Sequence, residues 1–219
     1  MRISGFPAML HVLKLTFNPF QENTYVIHDG REAIVVDPGC WDQTEQRELE
    51  DALERDGLNP VRVVLTHAHI DHILGCAWMH KRYGLSPELH REDLRILQGG
   101  ERTASMYGLR YDPAPEPERF LNEGDTIQLG DAELKVLFVP GHAPGHIALY
   151  HAAGKFVVSG DVLFHNSVGR VDLPGGDMDT LLKSIREQLF TLGDDVTVHS
   201  GHGPDTTIGR EKKSNPFLK

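Results

Sequence analysis

"LTHAHIDHILG", residues 65–75, sets His67, His69, Asp71 and His72 within six positions, directly after the apolar run "VRVVL" (61–65). The run reads as a buried strand, and the histidine-rich stretch after it reads as the polar turn that ends it. Imidazoles and a carboxylate are poor core material, because a buried polar group without a partner costs about 1–3 kcal/mol. Either something pairs them or the strand is misread. His67 and His69 are two positions apart, so in an extended turn both rings face one side and can grip a single ion. Asp71 and His72 are adjacent and point in divergent directions as a helix begins, which suits a second ion. Asp71 also fits as the N-cap of a helix over 72–84.

The same grammar of apolar run, turn and ligand recurs three times. "VLFVPGH" ends at His142, "FVVSGD" at Asp161 and "VTVHSGH" at His202. Gly141, Gly160 and Gly201 each precede the ligand, as expected where the backbone turns sharply beside an ion. Strand ends along one sheet edge hold such groups rigidly while their loops converge. Nitrogen donors with carboxylates and no thiolate favour zinc, with iron or manganese compatible. Seven ligands exceed what one tetrahedral ion takes, so the count predicts two divalent cations.

The remaining 219-residue chain frames this cluster. Its net charge is −10, which disfavours a nucleic-acid partner. Cys40 and Cys76 are the two cysteines, no disulfide framework, and suit a reducing cytoplasm. No apolar stretch approaches the roughly 20 residues of a membrane span, and "MRISGFPAML" lacks the apolar core of a secretory signal. Residues 1–8 read as a tail on a single domain. Strands are expected over 9–17, 23–29, 32–39, 61–66 and 195–201, with hairpins over 126–141 and 146–161. Helices are expected over 41–57, 71–84, 86–100 and 178–190. The proline-rich "YDPAPEPERF" (111–120) reads as the join between two halves.

His-x-His-x-Asp-His followed by "PGH", "SGD" and "SGHG" resembles the metallo-β-lactamase superfamily. With "VDPG", "PGHAPGH", "SGDVLF", "GRVDLPGGD" and the terminal "NPFL", it is similar to the short glyoxalase-II-type hydroxyacylglutathione hydrolases. The resemblance implies an α/β fold, an αββα sandwich of two mixed sheets flanked by helices. It implies that His67, His69 and His142 hold one metal, Asp71, His72 and His202 the other, and that Asp161 bridges them. It implies further that a water shared by the ions, acidified by the metal, cleaves a small-molecule thioester such as S-lactoylglutathione. A zinc-bound water has a pKa of about 7, so hydroxide is available at neutral pH. Asp71 is then also a catalytic residue that orients the nucleophile.

Full-length glyoxalase II carries a further C-terminal helical region that supplies much of its glutathione site, whereas 17 residues follow His202 here. Arg210 and Lys213 near that end, with Lys212 beside them, and Arg170 in "GRVDLPGGD" are the candidate substrate-binding residues. His146 reads as a structural neighbour of the ligands. Persulfide dioxygenases share the motif but use one iron, here His67, His142 and Asp161. Lactone, ester and β-lactam hydrolysis fit the same ligands. Diiron electron-transfer relatives carry Glu where this chain has His69, which sets the non-enzymatic reading aside. The oligomeric state is not written in the sequence.

Overall fold

The computed structural model describes residues 9–219, and the tail expected over 1–8 lies outside them. β1 (His11–Phe17), β2 (Glu22–His28) and β3 (Glu32–Val36) form an antiparallel meander. α1 (Gln43–Arg55) starts where the Asp42 carboxylate accepts the Thr44 and Glu45 N–H groups, and it buries Leu49, Ala52 and Leu53. It returns the chain to β4 (Asn59–Val64), parallel to β3. A parallel neighbour requires such a crossover.

The continuous helix expected over 71–84 is broken into α2 (Ile70–Ile73) and α3 (Cys76–Tyr83). The break falls at Gly75, whose N–H donates to the Pro38 carbonyl at 2.7 Å. A Cβ there would stand 2.5 Å from Cys40 Sγ, so only glycine fits so close an approach. Asp71 therefore lies inside the first turn of α2, and His69 holds the cap position without a side-chain capping bond. The N-cap expected at Asp71 is not there.

The helix expected over 86–100 is also divided. β5 (Pro87–Leu89) pairs in parallel with β4, a 3-10 turn spans Arg91–Asp93, and α4 (Leu94–Gln98) and α5 (Gly100–Met106) come next. The open edge of β4 recruits this segment and buries Leu89, which overrides its local helical pattern. The proline-rich loop leads into β6 (Arg119–Phe120), so the join between the halves comes just after it.

β7 (Thr126–Leu129), β8 (Ala132–Phe138), β9 (Ile147–His151) and β10 (Phe156–Gly160) pair antiparallel in succession. β11 (Leu163–Phe164) and β12 (Ser167–Val168) make a small hairpin. α6 (Met178–Ser184) continues as a π turn over Ile185–Leu189. β13 (Thr197–Ser200) joins β10 in parallel, and β14 (Thr206–Thr207) and α7 (Ile208–Ser214) close the described chain. The two six-stranded sheets run β1-β2-β3-β4-β5-β6 and β14-β13-β10-β9-β8-β7.

Their inner faces meet through Tyr25, Ile27, Ile34 and Val64 on one side and Ile127, Leu134, Val136 and Val158 on the other. Leu49, Leu53 and Met79 of α1 and α3 cover the outer face of the first sheet. Leu181, Ile185 and Leu189 cover that of the second. Each such aliphatic side chain contributes about 1.5–3 kcal/mol by leaving water. Two mixed sheets between helical layers make the αββα sandwich expected from the sequence. It places the chain just beyond β4, β8, β10 and β13 on one shared edge. Among the described residues no helix is long and apolar enough to cross a membrane.

Candidate metal centre

Beyond β4 the chain turns through His67 and His69, and beyond β8 it reaches His142. His142 Nε2 lies 3.2 Å from His67 Nε2 and 2.8 Å from His69 Nδ1. Two of these rings have their other nitrogen engaged as a donor. His142 Nδ1 meets the Arg170 carbonyl at 2.7 Å, and His67 Nδ1 meets Thr66 Oγ1 at 3.1 Å. The nitrogens left over are lone pairs pointed at one another. Burial keeps all three rings neutral, driving His67 far below its ordinary range, His69 down to about 3 and His142 below normal. Lone pairs crowded this closely repel unless a cation sits among them.

A second group forms where α2 begins. Asp71 Oδ2 is 3.6 Å from His72 Nε2 and 3.1 Å from His202 Nε2. Asp71 and His72 thus converge, which corrects the expectation that they diverge. His202 Nδ1 donates to the Phe20 and Gln21 carbonyls, both at 3.1 Å, and His72 Nδ1 donates to Asp37 Oδ2 at 3.1 Å. Burial opposes charge on His202, yet Asp161 and Asp71 lift it to about 10. Burial likewise opposes charge on Asp71, and the His72 imidazole outweighs it and holds the carboxyl below its ordinary range. This half of the centre attracts positive charge.

Asp161 stands between the halves. Its Oδ2 is 3.5 Å from both His142 Nε2 and His202 Nε2, and its Oδ1 is 3.5 Å from His72 Nε2. His72 Nε2 and Asp161 Oδ1 are buried without a hydrogen-bond partner. Buried polar atoms are rarely left so. Orphaned donors, engaged outer nitrogens and oxygen-bridged clusters together fit divalent cations. His67, His69 and His142 would hold one, and Asp71, His72 and His202 the other, with Asp161 shared. Gly201 is required here, because a Cβ would collide with Asp161 Oδ1.

Three buried groups brace the ligands: Asp37 and Asp93, which sequence reasoning left without a role, and His146, the structural neighbour it expected. Asp37, at the end of β3, accepts from Thr66 N and Thr66 Oγ1, both at 2.6 Å, as well as from His72. One carboxylate thus orients His72 directly and His67 through Thr66. Asp93 accepts from Ala68 N at 2.9 Å and Gly145 N at 2.5 Å, tying the His67–His69 turn to the turn after His142. Burial lifts its pKa to about 6. His146 stacks on His67 at 4.6 Å and accepts the Asp161 N–H at 3.1 Å. The only sequence signal for Asp37 was its place in "VDPG", and Asp93 lies in the charged "HRED", which reads as a solvated face.

The centre floors a cleft of about 1610 Å³, lined among others by Phe20, Asp71, Phe164, His165 and Arg170. Arg170 faces this cleft, with its guanidinium on Asp172 at 2.6 Å. Arg210 and Lys213 lie on α7, outside the residues that line it. The turn carrying His202 is stitched to β2: Asn23 Nδ2 donates to the Ser200 and Gly203 carbonyls at 3.0 and 2.9 Å, and Tyr25 OH to Ser200 O at 2.7 Å.

A family model described as the metallo-beta-lactamase superfamily matches residues 17–202. The chain belongs to that superfamily. A probable metallo-hydrolase of Bacillus subtilis is 35% identical over 94% of this chain and 96% of its own length. The hydroxyacylglutathione hydrolase GloC of Haemophilus influenzae is 37% identical over 91% and 93%. Among solved structures, TTHA1623 in a di-iron-bound form shares 41% identity with a TM-score of 0.85, covering 94% of this chain and all of that one. The BLEG-1 B3 metallo-beta-lactamase shares 34% with a TM-score of 0.87, covering 95% and 100%. As a metallo-beta-lactamase superfamily member, the chain falls among metallo-hydrolases whose fold binds divalent metals.

Proposed function

We propose that this superfamily member is a binuclear metal-dependent hydrolase of small-molecule thioesters, with S-lactoylglutathione as the type substrate and zinc as the favoured metal. The observation that carries the reading is the pair of donor clusters joined by Asp161 at the floor of an open cleft. The GloC relative, matched along nearly its whole length, supports the choice of a thioester. When bound, a pair of divalent cations supplies Lewis-acid polarisation of the carbonyl and acidifies water. The chain's own residues do the rest. Asp37, Thr66 and Arg170 O fix the ligand rings in one tautomer. Asp71, facing the cleft and ionised, accepts a hydrogen bond and orients its donor toward the floor. A thiolate leaves readily, so no strong general acid is needed.

The deciding experiment pairs metal analysis of the purified protein with initial rates on S-lactoylglutathione. Two divalent ions per chain and release of free thiol are expected. One iron per chain with oxygen consumption on glutathione persulfide overturns the proposal in favour of a dioxygenase. Turnover confined to lactones, esters or β-lactams overturns the thioester assignment.

A further inference from the structure

One wall of the cleft takes no part in holding a cation. It is the segment from Arg91 to Tyr107, comprising the 3-10 turn, α4 and α5, and it turns Arg91, Arg95 and Arg102 into the cleft together with Met106 and Tyr107. The chain as a whole carries a net charge of −10. Yet the charged cleft residues outside the donor clusters are four arginines, counting Arg170, against the single acid Glu92. Cations are thus gathered where the rest of the surface is acidic.

Two of the four are already engaged. Arg170 pairs with Asp172, and the Arg91 guanidinium lies 4.0 Å from the Phe120 ring centroid. Arg95 and Arg102 have no carboxylate at ion-pair distance among the described residues. Their support is firm. Leu97 and Ala104, on the same two helices, are buried against Ile70 and Ile73 of α2, the helix that carries Asp71 and His72. The backbone at Gly100 presses on the Tyr111 ring, where a Cβ would stand 2.8 Å from its hydroxyl. The arginines therefore keep a fixed relation to the donor clusters. A planar guanidinium fork matches the two oxygens of a carboxylate or phosphate. Gathered cations also raise the local concentration of anions beside an otherwise repelling surface.

We propose that Arg95 and Arg102 form a specificity site for an anionic group, carboxylate or phosphate, carried by the substrate away from its scissile carbonyl. This rests on the hydrolase reading and deepens it, because it assigns recognition of an acidic thiol to the α4–α5 wall and not to Arg210 and Lys213. Both side chains are exposed, so their removal leaves the core untouched.

The test compares three lactoyl thioesters: S-lactoylglutathione with its carboxylates, lactoyl-coenzyme A with its phosphates, and neutral S-lactoyl-N-acetylcysteamine. In R95A/R102A the ratio of kcat/KM for an anionic over the neutral thioester falls by ~10-fold or more, through KM. The wild-type ratio shrinks as salt is added. R95K/R102K recovers part of the ratio, since charge returns without the fork. Loss confined to one anionic substrate identifies carboxylate or phosphate as the ligand. An unchanged ratio, or an equal loss on all three, overturns the site. Wild-type protein that cleaves none of them overturns the hydrolase reading instead. Calorimetric binding of glutathione and of coenzyme A then judges the site alone: weakening in R95A/R102A sustains it, and equal or absent binding in both proteins overturns it.

Discussion

The two donor clusters are built from the same residue type and behave oppositely. His67, His69 and His142 gather lone pairs in a buried setting that strips them of protons. His72 and His202 stand beside Asp71 and Asp161, which push both rings toward the charged form, with Asp37 adding to the effect on His72. The difference teaches that an imidazole's state is set by its surroundings and not by its identity. Asp161 is the one side chain that belongs to both.

The sharpest way to break that contrast is Asp161→Asn. Replacing the shared carboxylate strands donors in both clusters, so turnover is expected to fall by more than ~100-fold, and metal analysis should show fewer ions per chain. Asp37→Asn comes next. It acts on His72 directly and on His67 through Thr66, so both clusters should weaken together. Metal affinity is expected to drop ~10–100-fold by competition with a chelator. Loss from one cluster alone would show that the two are supported separately.

Asp93→Asn tests the brace between the two histidine turns. An amide offers one acceptor where two N–H groups need one each, so unfolding should show a loss of about 1–3 kcal/mol at neutral pH. The pH dependence has a definite sign. Burial raises the folded pKa of Asp93 to about 6, above the unfolded value, so the folded state binds its proton more tightly. That contribution is complete below about pH 4 and disappears as pH rises through 6. The gap between wild type and variant should therefore narrow from pH 4 to pH 6, by up to about 3 kcal/mol. The smallest effect belongs to Arg170→Ala. Its ion pair with Asp172 is exposed, and it is its backbone carbonyl that orients His142. Melting temperature and metal content are expected to stay at the wild-type values.

Much of this is legible in the order of residues alone. The alternating apolar runs and amphipathic helices give most of the elements, while the layered sandwich is what the resemblance of the His-x-His-x-Asp-His motif implies. The seven donor residues stand out because four of them crowd into six positions and the same run-turn-ligand pattern recurs three times. Asp93 is hidden for a physical reason: "HRED" carries the charge of a solvated turn, and its burial arises only when β5 joins β4 and carries it under the turns of both sheets. The division of 86–100 has the same origin, since the recruiting edge is distant in sequence. Arg210 and Lys213 draw attention as cations near the terminus, but α7 lies away from the cleft.

Asn23 and Tyr25 fasten the His202 turn to a strand made some 180 positions earlier. During synthesis the early half must present its imidazole-rich turn with the last donor still inside the ribosome. The second donor cluster is thus completed only once Ser200–Gly203 have emerged, and on the proposed reading a nascent protein stalled just before Ser200 should bind metal incompletely.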